Sequence, residues 1–247
     1  SEMCIRDRTR TFIIAMERTV VPENFSFGMT DEEYRVLEKI KNSIPVCYLA
    51  DHADFALGIV TGNNKKFLSA EKTENSEMVL KGTDICKYHI NPVKQYLRFE
   101  PEQFQQVAPL EIYRAPEKLL YRFISNQLVV AYDDRQMLSL NSCNIVIPKI
   151  DGMQIKYILA ILNSSVSQFV YQKEFHSIKV LRAHMEHIPI PRVGKAIQNE
   201  IIAMTEPLIC GMGKEAAETC QKRLDCRIMD LFRFSAEEQW IIRHALH

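Results

Sequence analysis

Residues 58–68 of this 247-residue sequence read GIVTGNNKKFL, an apolar run that breaks into glycine, two amides and two lysines. Gly62, Asn63 and Asn64 tolerate left-handed backbone, so the chain can turn sharply there and expose successive amides. Lys65 and Lys66 add positive charge, and Thr61 and Asn63 add short hydrogen-bonding groups, a set able to hold phosphates and to reach a base edge. The same stretch also reads as a hairpin turn with two solvated lysines.

Other candidates are weaker. His184 and His187 lie three apart with His176 nearby, but no cysteine or carboxylate stands at usable metal-ligand spacing, so no metal site is expected. Asp133 and Asp134 are adjacent, and neighbouring side chains point apart, which suits local capping of a turn better than a magnesium site. The glycines of GMG at 211–213 fall in a helical stretch and suit packing or a hinge. The sequence has no GxSxG, HExxH, GxxxxGK[ST] or strand-following GxGxxG, and so offers no catalytic residue and no cofactor loop.

Charge and cysteines bound the setting. Lys plus Arg and Asp plus Glu both number 31, so any anionic partner must be met by a local excess. Between Gly58 and Arg98 there are seven basic residues against four acids. Between Tyr171 and Lys195 there are five against two, whereas the C-terminal part is acidic. The seven cysteines are scattered without a CxxC pair, which fits a reducing cytoplasm. No apolar run approaches the roughly 20 residues of a spanning helix, so a soluble intracellular protein with no membrane partner is expected. The opening SEMCIRDRTR resembles translated adaptor sequence, and its arginines are read as a frayed terminus.

The elements that must position these residues divide the chain in three. Thr30 and Glu33 have capping-box spacing ahead of Val36, Leu37 and Ile40, which predicts a short helix ending before Pro45. Residues 1–45 are thus read as a helical connector. From Val46 to Pro148 short Val-, Ile-, Tyr- and Phe-rich runs alternate with Gly, Asn, Asp and Pro, the pattern of strands and loops. Ile155, Ile158, Leu159 and Leu162 recur at helical spacing, and with Phe169 are expected in the core, Asn163 and Ser164 forming a helix terminus. HIPIPRVG reads as an extended linker. Residues 46–192 are taken as one β-rich domain with packed helices and 193–247 as a helical tail, closing on a capping box at Ser235 and Glu238. The fold class is α+β.

Several segments in order carry a family resemblance: GIVTGNNKKF, LKGTDICKY at 80–88, APEKLLYRFISNQLVVAYDD at 115–134, YILAILNSSVSQFVY at 157–171 and HIPIP at 187–191. Together they resemble the TaqI-like C-terminal specificity domains, the target recognition domains of bacterial adenine-specific DNA methyltransferases and of fused restriction-modification enzymes. The ending LDCRIMDLFRFSAEEQWIIRHAL resembles the helical tail of such chains. The resemblance covers about residues 46–247. It implies a noncatalytic module for double-stranded DNA, partnered by an N-terminal methyltransferase domain that holds S-adenosylmethionine and a [DNS]PP[YFW] motif. This sequence contains no consecutive prolines. Within the resemblance, Thr61, Gly62, Asn63, Asn64, Lys65 and Lys66 form one contact loop, and Lys81 and Gly82 a second. Lys118 and Arg122 either touch the DNA backbone or pair with Glu111 or Glu117. A module that docks a methyltransferase or nuclease subunit, with little DNA contact of its own, is the alternative.

Overall fold

The computed structural model describes residues 29–175 and 177–245, together with the backbone of 3–6 and 11–14. Strands β1 (Met3–Arg6) and β2 (Thr11–Ile14) pair antiparallel. Helix α1 (Asp31–Asn42) opens on the expected capping box, the Glu33 amide donating to Thr30 Oγ1 at 3.2 Å and the Thr30 amide to Glu33 Oε2 at 3.0 Å. Its acidic first turn and basic last turn complement the helix dipole, and Val36, Leu37 and Ile40 are its buried face.

The central layer is an antiparallel sheet of β4 (Ala53–Ala56), β11 (Cys143–Pro148), β8 (Lys118–Arg122) and β9 (Val130–Asp133), in that spatial order. Alternation along these strands divides two cores. Leu119, Tyr121, Val130, Tyr132 and Val146 face one, with the helices. Leu120, Ala131, Cys143 and Ile145 face the other. Because both faces are covered, β8 and β9 read as nearly unbroken apolar runs instead of a polar-apolar alternation.

The helical layer comprises α4 (Ile155–Asn163), α5 (Ser165–Glu174), the short α6 (Arg182–Glu186), α7 (Lys195–Ile209), α8 (Lys214–Leu231) and α9 (Ala236–His244). The expected terminus at Asn163 and Ser164 is the break between α4 and α5, where Ser164 Oγ accepts from the Ser167 amide at 3.2 Å. Asn163 bonds β9 as a strand would: its Oδ1 accepts from the Val130 amide at 3.1 Å and its Nδ2 donates to the Val130 carbonyl at 2.8 Å. Ile158, Leu159, Leu162 and Phe169 are buried as expected, each contributing about 1.5–3 kcal/mol by burial. GMG lies between α7 and α8, with Gly211 at φ +76°, a conformation glycine adopts without strain. In HIPIPRVG, Ile190–Pro191 is strand β12, paired antiparallel with β3 (Val46–Cys47).

Across the second core lies a smaller sheet of β10 (Leu138–Ser139), β6 (Ser76–Leu80), β7 (Tyr96–Arg98) and β5 (Leu68–Ser69), again in spatial order, with β10 parallel to β6. Two four-residue helices, α2 (Asn64–Phe67) and α3 (Leu110–Tyr113), flank it.

Candidate functional site

The first lysine loop is clamped at both ends. At its start the Ile59 amide donates to the Ser139 carbonyl at 2.7 Å and the Asn141 amide to the Ile59 carbonyl at 3.1 Å. Gly58 lies so close to this segment that a Cβ there would meet the Leu140 carbonyl oxygen at 2.0 Å, so only glycine fits. At its end Phe67 is buried edge-on against Phe104, ring centroids 5.1 Å apart. Between these anchors the loop is no hairpin turn. Asn63 Oδ1 accepts from the Lys66 amide at 3.2 Å and caps α2, while Gly62 takes φ +73°.

This geometry sorts the expected contact residues. Thr61 is buried and its hydroxyl donates to Asn64 Oδ1 at 2.6 Å, so it shapes the loop and does not face solvent. Lys66 is exposed but bound, donating to Gln103 Oε1 at 2.6 Å and lying 4.9 Å from the Phe67 ring centroid. Lys65 is exposed and makes no ion pair among the described residues.

In the second loop the Lys81 amide donates to Asp84 Oδ2 at 2.9 Å, closing a tight turn. Gly82 is buried in that turn, its amide donating to Ser142 Oγ at 3.0 Å, and it packs backbone against backbone there. Arg122 wraps the loop from behind, Nε donating to the Gly82 carbonyl at 2.8 Å and Nη2 to the Ile85 carbonyl at 2.6 Å. Its guanidinium holds protein carbonyls, which corrects the expectation of a DNA-backbone contact or of pairing with Glu111 or Glu117. Lys118 is corrected more sharply. It is fully buried, with Nζ 2.5 Å from Asp133 Oδ2 and 2.7 Å from the Tyr113 carbonyl, and burial lowers its pKa. Asp133 is the capping residue expected, accepting from the amides of Arg135 at 2.9 Å and Met137 at 3.0 Å.

What the two loops share is one cleft of about 390 Å³, lined by Asn64, Lys65, Leu68, Lys81, Gln95, Leu140, Asn141 and Ser142. Lys81 follows β6, Gln95 precedes β7 and Leu140–Ser142 follow β10, so three neighbouring strands deliver these groups to one end of the small sheet. Helix α2 and Leu68 close the side. Sequence reasoning missed Gln95, Asn141 and Ser142. They lie in no lysine-rich run, and only the pairing of β10 beside β6 brings them in. Gly58 and Gly82 each pack backbone against backbone with 140–142, a contact between distant segments that the sequence does not announce.

Of the seven basic residues between Gly58 and Arg98, Arg98 pairs with Glu100 at 2.7 Å. Lys87 turns inward, its Nζ donating to the Asn163 carbonyl at 3.2 Å, with its pKa lowered by burial against the raising effect of Asp225. Asp225 of α8 accepts from the amide and hydroxyl of Ser165 at 2.9 and 2.6 Å, and burial raises its pKa. Lys87 thus ties the loop region to the end of α4, and Asp225 ties α8 to the start of α5. His184 stacks on Phe175, centroids 4.4 Å apart, and its Nδ1 accepts from the Leu181 amide at 3.2 Å. Burial lowers its pKa. Among the described residues no three His, Cys, Asp or Glu side chains group to hold a metal, and no helix is long and apolar enough to cross a membrane; His176 lies outside those residues.

Comparison with known proteins agrees with this architecture. No curated protein matches the sequence. Residues 77–190 match the TaqI-like C-terminal specificity domain family. Among solved structures, the type IIL restriction-modification enzyme MmeI in complex with DNA superposes with TM-score 0.53 at 10% identity, covering 81% of this chain and 36% of that one. The type IIG restriction endonuclease BpuSI gives TM-score 0.50 at 13% identity, covering 88% and 32%. The chain therefore spans about a third of the length of these two enzymes, and the likeness is one of fold. The segment that matches the TaqI-like C-terminal specificity domain family supplies β6, β8, β9 and β11 and the cleft residues Lys81, Gln95, Asn141 and Ser142.

Proposed function

We propose that this chain is the noncatalytic DNA target recognition module of a restriction-modification enzyme. Its parent is read as an adenine-specific DNA methyltransferase whose S-adenosylmethionine and catalytic motif belong to another domain. The observation that carries the reading is the convergence of Lys65 and Lys81 with exposed or half-buried amides and a hydroxyl at one sheet end. Lysines supply sequence-independent phosphate contact and the amides can address base edges, the two kinds of contact a duplex reader needs. Methylating adenine requires the base to leave the stack, and a recognition module holds the remaining duplex in register meanwhile. The cleft suits an anion better than the cofactor, since two lysines would oppose the positively charged sulfonium of S-adenosylmethionine. The protein is read as bacterial and cytoplasmic.

The test is duplex binding by the chain itself, followed by fluorescence anisotropy from about 50 to 200 mM salt, with a methyl-transfer assay alongside. Expected are a Kd near the nonspecific range of about 10⁻⁴ to 10⁻⁶ M, steep weakening with salt, and no methyl transfer. Affinity independent of salt would favour the docking alternative, and methyl transfer by the chain alone would refute a noncatalytic role.

A further inference from the structure

Three amide side chains line the cleft, and two are accounted for without a ligand. Asn64 Oδ1 accepts a hydrogen bond from the Thr61 hydroxyl at 2.6 Å. Asn141 is exposed on the rim, open to solvent. Gln95 differs from both. Its Oε1 is buried and has no hydrogen-bond partner among the described residues, although the residue as a whole is only partly covered and lines the cleft. Its backbone is fixed, the carbonyl accepting from the Val79 amide of β6 at 3.1 Å. A buried acceptor left unpaired is costly, so a donor offered in the cleft favours turning this amide outward. Gln95 stands immediately before strand β7, and a side chain set at a strand end is better placed for readout than one far out on a loop.

Resting on the DNA reading above, we propose that Gln95 is the specificity-determining residue of the cleft and that it reads an adenine in the major groove. A carboxamide matches that base edge in both senses: Nε2 donates to N7 and Oε1 accepts from the N6 amino group. Lys65 and Lys81 on either side hold the flanking phosphates and set the depth at which the base edge is presented.

The experiment uses the 247-residue chain. Duplexes that it prefers are selected from a randomised library, and each adenine of the winning sequence is replaced singly by 7-deazaadenine, which lacks the N7 acceptor. One such replacement is expected to weaken binding about tenfold. The Gln95→Ala chain, with an unchanged melting temperature and salt dependence, is expected to be indifferent to that same replacement. Gln95→Glu, which can only accept, is expected to shift the preference at that position towards cytosine. Asn141→Ala should leave the pattern intact. If Gln95→Ala retains the parental 7-deaza pattern, weakens all duplexes alike, or is matched by Asn141→Ala, the assignment to Gln95 fails while the DNA reading stands. Binding without any sequence selection also overturns the assignment alone, whereas no binding to any duplex removes both.

Discussion

The Gly82 amide donates to the Ser142 hydroxyl at 3.0 Å, and a Cβ on Gly82 would sit 2.5 Å from the Ser142 carbonyl oxygen. This contact joins the KGTD turn to the strand exit that carries Asn141 into the cleft. Gly82→Ala must push backbone against backbone and is expected to lower stability by about 1–3 kcal/mol. Ser142→Ala, which loses only the hydrogen bond, is expected to cost about 1 kcal/mol. Urea unfolding of both variants checks the order. Equal stability of Gly82→Ala and the parent would show that the turn is looser than described.

Lys118 and Asp133 form a fully buried pair between β8 and β9. Lys118→Met leaves the Asp133 carboxylate buried without its cation and is expected to cost about 3–5 kcal/mol, visible as a large drop in the denaturation midpoint. A variant of parental stability but weakened DNA binding would return Lys118 to the interface.

His184 gives the fold a pH dependence. Burial holds its folded pKa below the ordinary imidazole value of 6.5, so the unfolded chain binds more protons in the window beneath 6.5. Its contribution to stability is present above pH 6.5 and is lost as the pH falls through the folded value. The melting temperature should therefore fall faster between about pH 6.5 and 5 in the parent than in His184→Phe. Parallel curves would mean that His184 is protonated without penalty in the fold.

Local signals were legible where one residue and its near neighbours decide the outcome. Thr30 with Glu33 and Ser235 with Glu238 announced helix starts because a capping box closes within four residues. Ile158 and Leu162 announced a buried face because helical periodicity is local too. The lysine loop was found but mistyped: Asn63 caps a helical turn that ends on the Phe67 anchor, and that anchor depends on Phe104, 37 positions away. Lys118 and Arg122 looked like surface charges because their partners, Asp133 and the carbonyls of Gly82 and Ile85, are reached only through strand pairing and loop packing. Gln95 and Asn141 entered the cleft by the same route, and no short pattern in the sequence announces it.

The measurement closest to the central claim compares the salt dependence of duplex binding in the parent, Lys65→Ala/Lys81→Ala and Lys66→Ala chains. Lys65 and Lys81 flank the cleft, whereas Lys66 is already bound to Gln103. Loss of two phosphate contacts is expected to flatten the slope of log K against log salt by about two units in the double variant, with folding unchanged. Lys66→Ala is expected to alter it by less than one. A double variant that binds with the parental slope would contradict the account, placing the DNA-facing surface away from the cleft between the two lysine loops.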